Sequence, residues 1–281
     1  MAIRNESKYQ QLRLAAQIAR LYHEQNKTQP EIARILSITQ TRVSRMLRFA
    51  AENGIIRTTV HVPEGIYSDV EDELARVFPG TEFVVVDAPL YHDGTGNPAL
   101  ASSTAAYLER IIPSCEIVGV SSWSETLLKA VEVMRPVNRG VTTHIVQVFG
   151  GFGRASSQVY ATRLAERLAQ ISNAEAMFLL TPGVVSSEQM HAMLMNDHSS
   201  YGVLELCNRL SVILMGIGCL QPSRLLLDSG NVLDEADMED LRRRGAVGEI
   251  CLRFFDRDGN LIESGFNRRV VGISAEQILK T

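Results

Sequence analysis

The stretch TQPEIARILSITQTRVSRMLRFAAENGIIR, Thr28 to Arg57, decides how the chain begins. Thr28 is an N-cap residue. Gln29-Pro30 fills the first helical positions, where proline's missing N–H costs little, and Glu31 closes a T-x-x-E capping box before Ile32, Ala33 and Leu36. Ser37-Ile38-Thr39 reads as a short turn. Val43, Met46, Leu47 and Ala50 then form the inner face of a longer helix that stops at Asn53-Gly54. This spacing predicts a helix-turn-helix. Gln40, Thr41, Arg42, Ser44, Arg45 and Arg48 fall off the apolar stripe, and arginine and glutamine can bond base edges bidentately while Ser and Thr reach bases or phosphates. With Thr28 they are the candidate DNA contacts. The alternative is a helical hairpin with a solvated basic face.

The flanks extend the same unit. Upstream, Leu14, Ile18, Leu21 and Tyr22 make one stripe of a helix from about Gln11 to Gln25; downstream, Ile55 to Val62 reads as a β-branched strand. Residues 1–62 carry ten Lys/Arg against four Asp/Glu, a net +6, and the remaining 18 and 28 leave a net −10. A basic head on an acidic body points to double-stranded DNA held at one end.

After Pro63-Glu64-Gly65 strands and helices alternate. Strands are expected near Glu82–Val86, Ile117–Val120, Thr143–Phe149, Ala176–Leu180, Val212–Gly216 and Ile250–Phe255. Helices are expected near Val70–Val77, Leu100–Ile111, Glu125–Met134, Gln158–Ala169, Gln189–Met195 and Ala236–Arg243. Near-continuous apolar strands in βα order imply an α/β body around a mostly parallel sheet covered on both faces. Several strand ends run into Gly, Ser or Pro, where open α/β sheets bind ligands.

Composition removes other classes. At 281 residues, 45% hydrophobic and 21% charged, the chain suits a globular protein with one large core and a smaller unit. Its longest apolar stretches, such as Leu210–Leu220, fall well short of the roughly 20 residues of a membrane helix, and the polar N-terminus is no secretory signal. A cytoplasmic protein without membrane contact is expected. Cys115, Cys207, Cys219 and Cys251 form no CxxC pair and suit free thiols, with Cys115, Cys219 and Cys251 beside apolar runs. The six histidines show no metal-ligand spacing, so no metal and no cofactor are expected. Asp256-Arg257-Asp258-Gly259 lacks the later ligands of a calcium loop and reads as a turn between Phe255 and Leu261.

A family resemblance runs through nearly the whole chain. Val43-Ser44-Arg45 and the NGIIR exit, followed in order by GVSSWSETL (119–127), VQVFGGFG (146–153), GIG (216–218), SG (229–230), GAVGEI (245–250) and FFDRDG (254–259), resemble the SorC family of sugar-responsive bacterial transcriptional regulators. That resemblance implies a winged helix-turn-helix over 1–62. It also implies an α/β effector and oligomerisation domain over 63–281, Rossmann-like and similar to sugar-phosphate isomerases and CoA transferases, acting as a dimer or tetramer. Members usually continue past a VVGIS strand, here Val270–Ser274, with a βα unit bearing Gly-Gly and a lysine, so a shortened effector domain is expected.

The resemblance also selects effector residues. Gly119–Thr126 is similar to a family loop that holds a phosphate or sugar hydroxyls, and free N–H groups at a helix start plus Ser121, Ser122, Ser124 and Thr126 suit that task. Ser122 and Glu125 also spell S-x-x-E, a plain cap. Gly150, Gly151, Gln158 and Glu249 are further family positions, with tight strand exits and an exposed strand-end carboxylate as their alternatives. An enzyme of isomerase or transferase type needs a positioned acid/base pair. Glu125, Lys129 and Glu249 offer none that is recognisable, so no catalytic residue is assigned. A constitutive DNA-binding protein without an effector is the remaining alternative.

Overall fold

The computed structural model describes residues 2–56, 66–87, 97–137, 140–151, 155–220 and 234–281. The chain divides into two units, Met1–Glu64 and Gly65–Thr281.

In the first unit α1 (Ala2–His23), α2 (Gln29–Ile35) and α3 (Gln40–Glu52) enclose a small core. Ile18, Ile32 and Val43 meet at its centre with Leu14, Leu36, Met46 and Leu47 around them. The capping box is present: the Glu31 carboxylate accepts from the Thr28 N–H at 2.8 Å and from its hydroxyl at 2.7 Å. Between α2 and α3 the chain turns through Ser37 in the left-handed region, φ +52°. Of the expected strand Ile55–Val62, Ile55 and Ile56 form none. Their N–H groups bond the Ala50 carbonyl at 2.8 and 3.2 Å, folding them back over the end of α3, and the rest of that strand lies outside the described residues.

The second unit is a three-layer α/β structure. Strands β1 (Ile117–Val120), β2 (His144–Gln147), β3 (Glu175–Met177) and β4 (Val212–Leu214) form a parallel sheet in the order β3-β2-β1-β4. Register follows Val118↔Ile145, Ile145↔Ala176 and Gly119↔Ile213. Alternation along the strands builds two cores. Val118, Val120 and Ile145 face α5 (Pro98–Ile111), α6 (Glu125–Val133) and α7 (Ala155–Ser172), through Leu108, Val131 and Leu164. On the opposite face Ile117, Val146 and Val148 pack with Val203 and Cys207 of α9 (His198–Cys207) and with Leu241 of α10 (Glu235–Arg243). Both faces of the strands are covered, which is why they read as unbroken apolar runs.

A second sheet, antiparallel, joins β5 (Gly218–Cys219), β6 (Gly248–Ile250) and β7 (Arg253–Phe255). The remaining helices are α4 (Ser68–Val77), α8 (Glu188–Met195) and the C-terminal α11 (Ala275–Lys280).

Two expected strands need correction, and one helix was not foreseen. Glu82–Val86 forms no strand: it is tied to helices by side chains, Val85 N–H to Glu71 of α4 at 2.8 Å and Glu82 to Arg110 of α5 at 2.6 Å. Ile250–Phe255 is two strands, bent where Cys251 and Leu252 take φ of +51° and +62°. α9 was unexpected, since its polar HSSYG start carries no clear apolar period. The Asp256–Gly259 turn is present, with the Asp256 carboxylate accepting the Asp258 and Asn260 N–H groups at 2.9 Å each.

Candidate functional site

In the sheet, β1 leads on one side to β2 and β3 and on the other to β4, so the chain changes direction between β1 and β4. Open α/β sheets leave a crevice outside the strand ends at such a point. A cavity of about 730 Å³ lies there. The segment after β1 (Ser121, Trp123, Ser124, Glu125, Thr126) and the segment after β4 (Met215 to Leu220) form two of its walls, and Glu249, Cys251, Leu252 and Phe254 of the second sheet form a third.

The loop after β1 is fixed at both ends. Ser121 N–H bonds the Leu214 carbonyl at 2.9 Å, prolonging the β1–β4 pairing, and Ser124 caps α6 by accepting the Leu127 N–H at 3.3 Å. Ser124, not Ser122, is therefore the cap of this helix. The Ser122 hydroxyl and the Trp123 indole N–H are buried without a hydrogen-bond partner among the described residues. Glu125, in the first turn of α6, pairs with Lys129 at 3.2 Å.

Glu249 faces this loop from β6. Its Oε2 accepts the Leu252 N–H at 2.8 Å, and burial raises its pKa above the ordinary carboxylate value despite that bond. Its partner across the ladder is Gly218 of β5. A Cβ at Gly218 would lie 3.0 Å from the Glu249 carboxyl carbon and would overlap Oε1, so the carboxylate sits where any other residue would put its side chain. Next to it, burial pushes the Cys251 thiol up to about 12, with the Glu249 charge adding to the shift and a Ser121 hydrogen bond opposing it.

Of the expected effector residues, Ser121, Ser124, Thr126 and Glu249 line this cavity. Ser122, Gly150 and Gly151 are buried but outside its lining, and the Gln158 side chain lies outside the described residues. Gly150 serves packing, because a Cβ there would stand 2.6 Å from the Thr181 carbonyl oxygen. Sequence reasoning missed Trp123, Phe149, Phe254 and Cys251, which border the cavity. Cys219, expected as a buried hydrophobe, is exposed in the wall, whereas Cys207 is buried. No disulfide joins the cysteines. A second cavity of about 470 Å³ has Arg253 in its wall, whose guanidinium bonds the Ile273 carbonyl at 2.7 Å.

On the first unit, Thr28, Gln40, Thr41, Arg42, Ser44, Arg45 and Arg48 are all exposed. Thr39 caps α3 by accepting the Arg42 N–H at 3.2 Å, while the Thr28 hydroxyl is committed to Glu31. Among the described residues no carboxylate pairs with Arg42, Arg45 or Arg48, and no helix is long and apolar enough to cross a membrane.

Comparison with known proteins agrees with this architecture. Residues 66–281 match the family model described as "Putative sugar-binding domain". The deoxyribonucleoside regulator of Bacillus subtilis is 27% identical over 266 residues, covering 94% of this chain and 83% of the relative. The sorbitol operon regulator of Klebsiella pneumoniae is 26% identical over 271 residues, covering 95% and 84%. The crystal structure of full-length SorC from Klebsiella pneumoniae superposes with a TM-score of 0.66 at 24% identity, over 95% of this chain and 85% of that one, and shares its fold. Both sequence relatives are named as regulators, not as enzymes. With a sugar-binding domain matched over most of its length and regulators as relatives across nearly all of it, the chain belongs to the SorC family of sugar-responsive transcriptional regulators.

Proposed function

We propose that residues 1–62 bind double-stranded operator DNA through α3 and that residues 63–281 bind a small carbohydrate or phosphosugar in the cavity between β1 and β4, which controls that binding. The observation that carries the effector half is the meeting of Ser121, Ser124, Thr126 and Glu249 in one cavity at the change of strand direction. Polyhydroxylated ligands need this kind of wall, in which hydroxyls and a carboxylate converge. The names of the relatives, which refer to sorbitol and deoxyribonucleosides, support the same ligand class.

The DNA half rests on α3, where Gln40, Thr41, Arg42, Ser44, Arg45 and Arg48 present exposed side chains on a capped helix. Control by the effector requires two states of different affinity, since a ligand that binds both equally shifts nothing. A homodimer or tetramer supplies them, and α4 is a suitable contact: Val70, Val77 and Phe78 form an apolar stripe that is 44%, 64% and 54% exposed. Such a protein works in the cytoplasm, where the DNA is.

A salt-controlled titration of a duplex selected by the protein from a random pool tests the DNA half. Arg42→Ala and Arg45→Ala are each expected to weaken binding by about tenfold, and unchanged affinity in both would remove the assignment.

A further inference from the structure

We infer that the second cavity, of about 470 Å³, is a separate binding site for a small oxyanion, the carboxylate or phosphate group of a metabolite, held by the Arg253 guanidinium with His191 beside it. Side chains alternate along β7, so Phe254 borders the cavity between β1 and β4 while Arg253 stands in the wall of the other one. The two sites lie back to back on one strand, and the inference does not depend on what the first one binds.

Arg253 carries the argument. Its Nε donates to the Ile273 carbonyl at 2.7 Å and its Nη1 to the Asn267 carbonyl at 3.4 Å, which leaves Nη2 without a partner among the described residues. No carboxylate among those residues meets this guanidinium, whereas Arg244, Arg268 and Arg269 on the segments around it each reach one at 2.6 to 2.7 Å. Two neutral carbonyls orient the group but leave its charge uncompensated. Burial lowers the pKa of Arg253, so it is partly desolvated, and a desolvated cation calls for an anion. The free side of a guanidinium offers parallel N–H groups that match two oxygens of a carboxylate or phosphate.

His191 of α8 supplies a second donor. Burial and the Arg253 charge hold its pKa below the ordinary value, against the opposing pull of the Val270 carbonyl and Glu188. The other charged groups in the wall are Arg268, which Glu188 holds at 2.6 Å, and the exposed Glu263. An anion on Arg253 cancels the repulsion that keeps His191 neutral, so it raises the histidine pKa and gains an N⁺–H donor as the ring protonates. Binding is therefore linked to proton uptake at one named ring.

The test follows the histidine ring resonances of the full-length chain by NMR during titration with sulfate, methyl phosphate, acetate and lactate, at an ionic strength held constant with chloride. His191 is identified by the signal missing from His191→Gln. At least one anion is expected to shift that signal to saturation, to raise the pKa it reports, and to bind about threefold tighter at pH 6 than at pH 7.5. His191→Gln removes this pH dependence. Arg253→Met weakens binding by about tenfold or more, and Arg253→Lys, which keeps the charge and loses the fork, serves if the methionine variant does not fold. A response to sulfate and methyl phosphate alone assigns a phosphate-bearing ligand, and a response to acetate and lactate alone a carboxylate; either supports the site. A His191 signal that no anion moves overturns the inference. Anion binding that is unchanged in the Arg253 variants overturns it too, because the anion then sits elsewhere on the chain.

Discussion

The main-chain N–H of Leu252 donates to Oε2 of Glu249 at 2.8 Å, across a two-residue turn in which both Cys251 and Leu252 are left-handed. Such turns favour Asn and Gly, and each bulky residue there costs about 1–2 kcal/mol. The bond from Glu249 helps hold the strained turn and fixes the carboxylate in the cavity wall. Burial disfavours the charged form of Glu249 in the folded chain, so its native pKa stands above the unfolded one. Below the unfolded value both states are protonated and nothing is lost. As pH rises through the ordinary glutamate range to the raised native value, the unfolded chain ionises first and the native state loses stability relative to it. Glu249→Gln is therefore expected to raise the ligand-free melting temperature by about 2 °C near pH 8, and by less near pH 4, in parallel denaturation curves. An equal effect at both pH values would place the carboxylate in water.

Gly150 backs onto the Thr181-Pro182 carbonyls, and its N–H bonds the Val271 carbonyl at 2.9 Å. A methyl group there collides with backbone that cannot move aside cheaply. Gly150→Ala is expected to cost about 2–3 kcal/mol in urea unfolding. Its fold change in ligand affinity should be small, which separates a packing role from a binding one.

Ser37 turns the chain between α2 and α3 at φ +52°. An L-residue is strained there and glycine is not. Ser37→Gly is expected to stabilise the first unit by about 0.5–1 kcal/mol, after allowing for the greater freedom of glycine in the unfolded chain. Hydrogen exchange of the amides in α2 and α3 reads this directly.

The Arg269 guanidinium bonds both Asp237 oxygens at 2.6 Å and packs over the Phe266 ring, joining α10 to the C-terminal segment. Both side chains are about four-fifths buried, at 21% and 20% exposed. Asp237→Ala leaves the guanidinium with the Gly265 and Val185 carbonyls as its partners among the described residues, and is expected to cost about 2–3 kcal/mol in a denaturant titration.

Much of this was legible in the residues. Thr28, Glu31 and the stripe Val43, Met46, Leu47 and Ala50 marked α2 and α3 because caps and helical period are local properties. Ile117–Val120 was found to the residue, being a short apolar run bounded by turn-formers and buried on both faces. Failures came where tertiary contacts decide. Phe83 to Val86 has the composition of a strand but pairs with no strand among the described residues, and Val84 is 48% exposed. The β6–β7 turn carries Cys and Leu in place of Asn or Gly, so no local signal announced it. Ser121 and Glu249, expected as effector residues from the family resemblance, line one cavity. Trp123, Phe149 and Phe254, which border that cavity, come from three separate segments that only the folded sheets bring together.

The central claim is that a carbohydrate or phosphosugar in the β1–β4 cavity changes DNA affinity, and fluorescence anisotropy of a selected duplex with and without the best-binding sugar, polyol or sugar phosphate tests it most directly. The account predicts a change of about fivefold or more in the dissociation constant, lost in Glu249→Gln at the same ligand concentration. Identical binding curves at saturating ligand would contradict it.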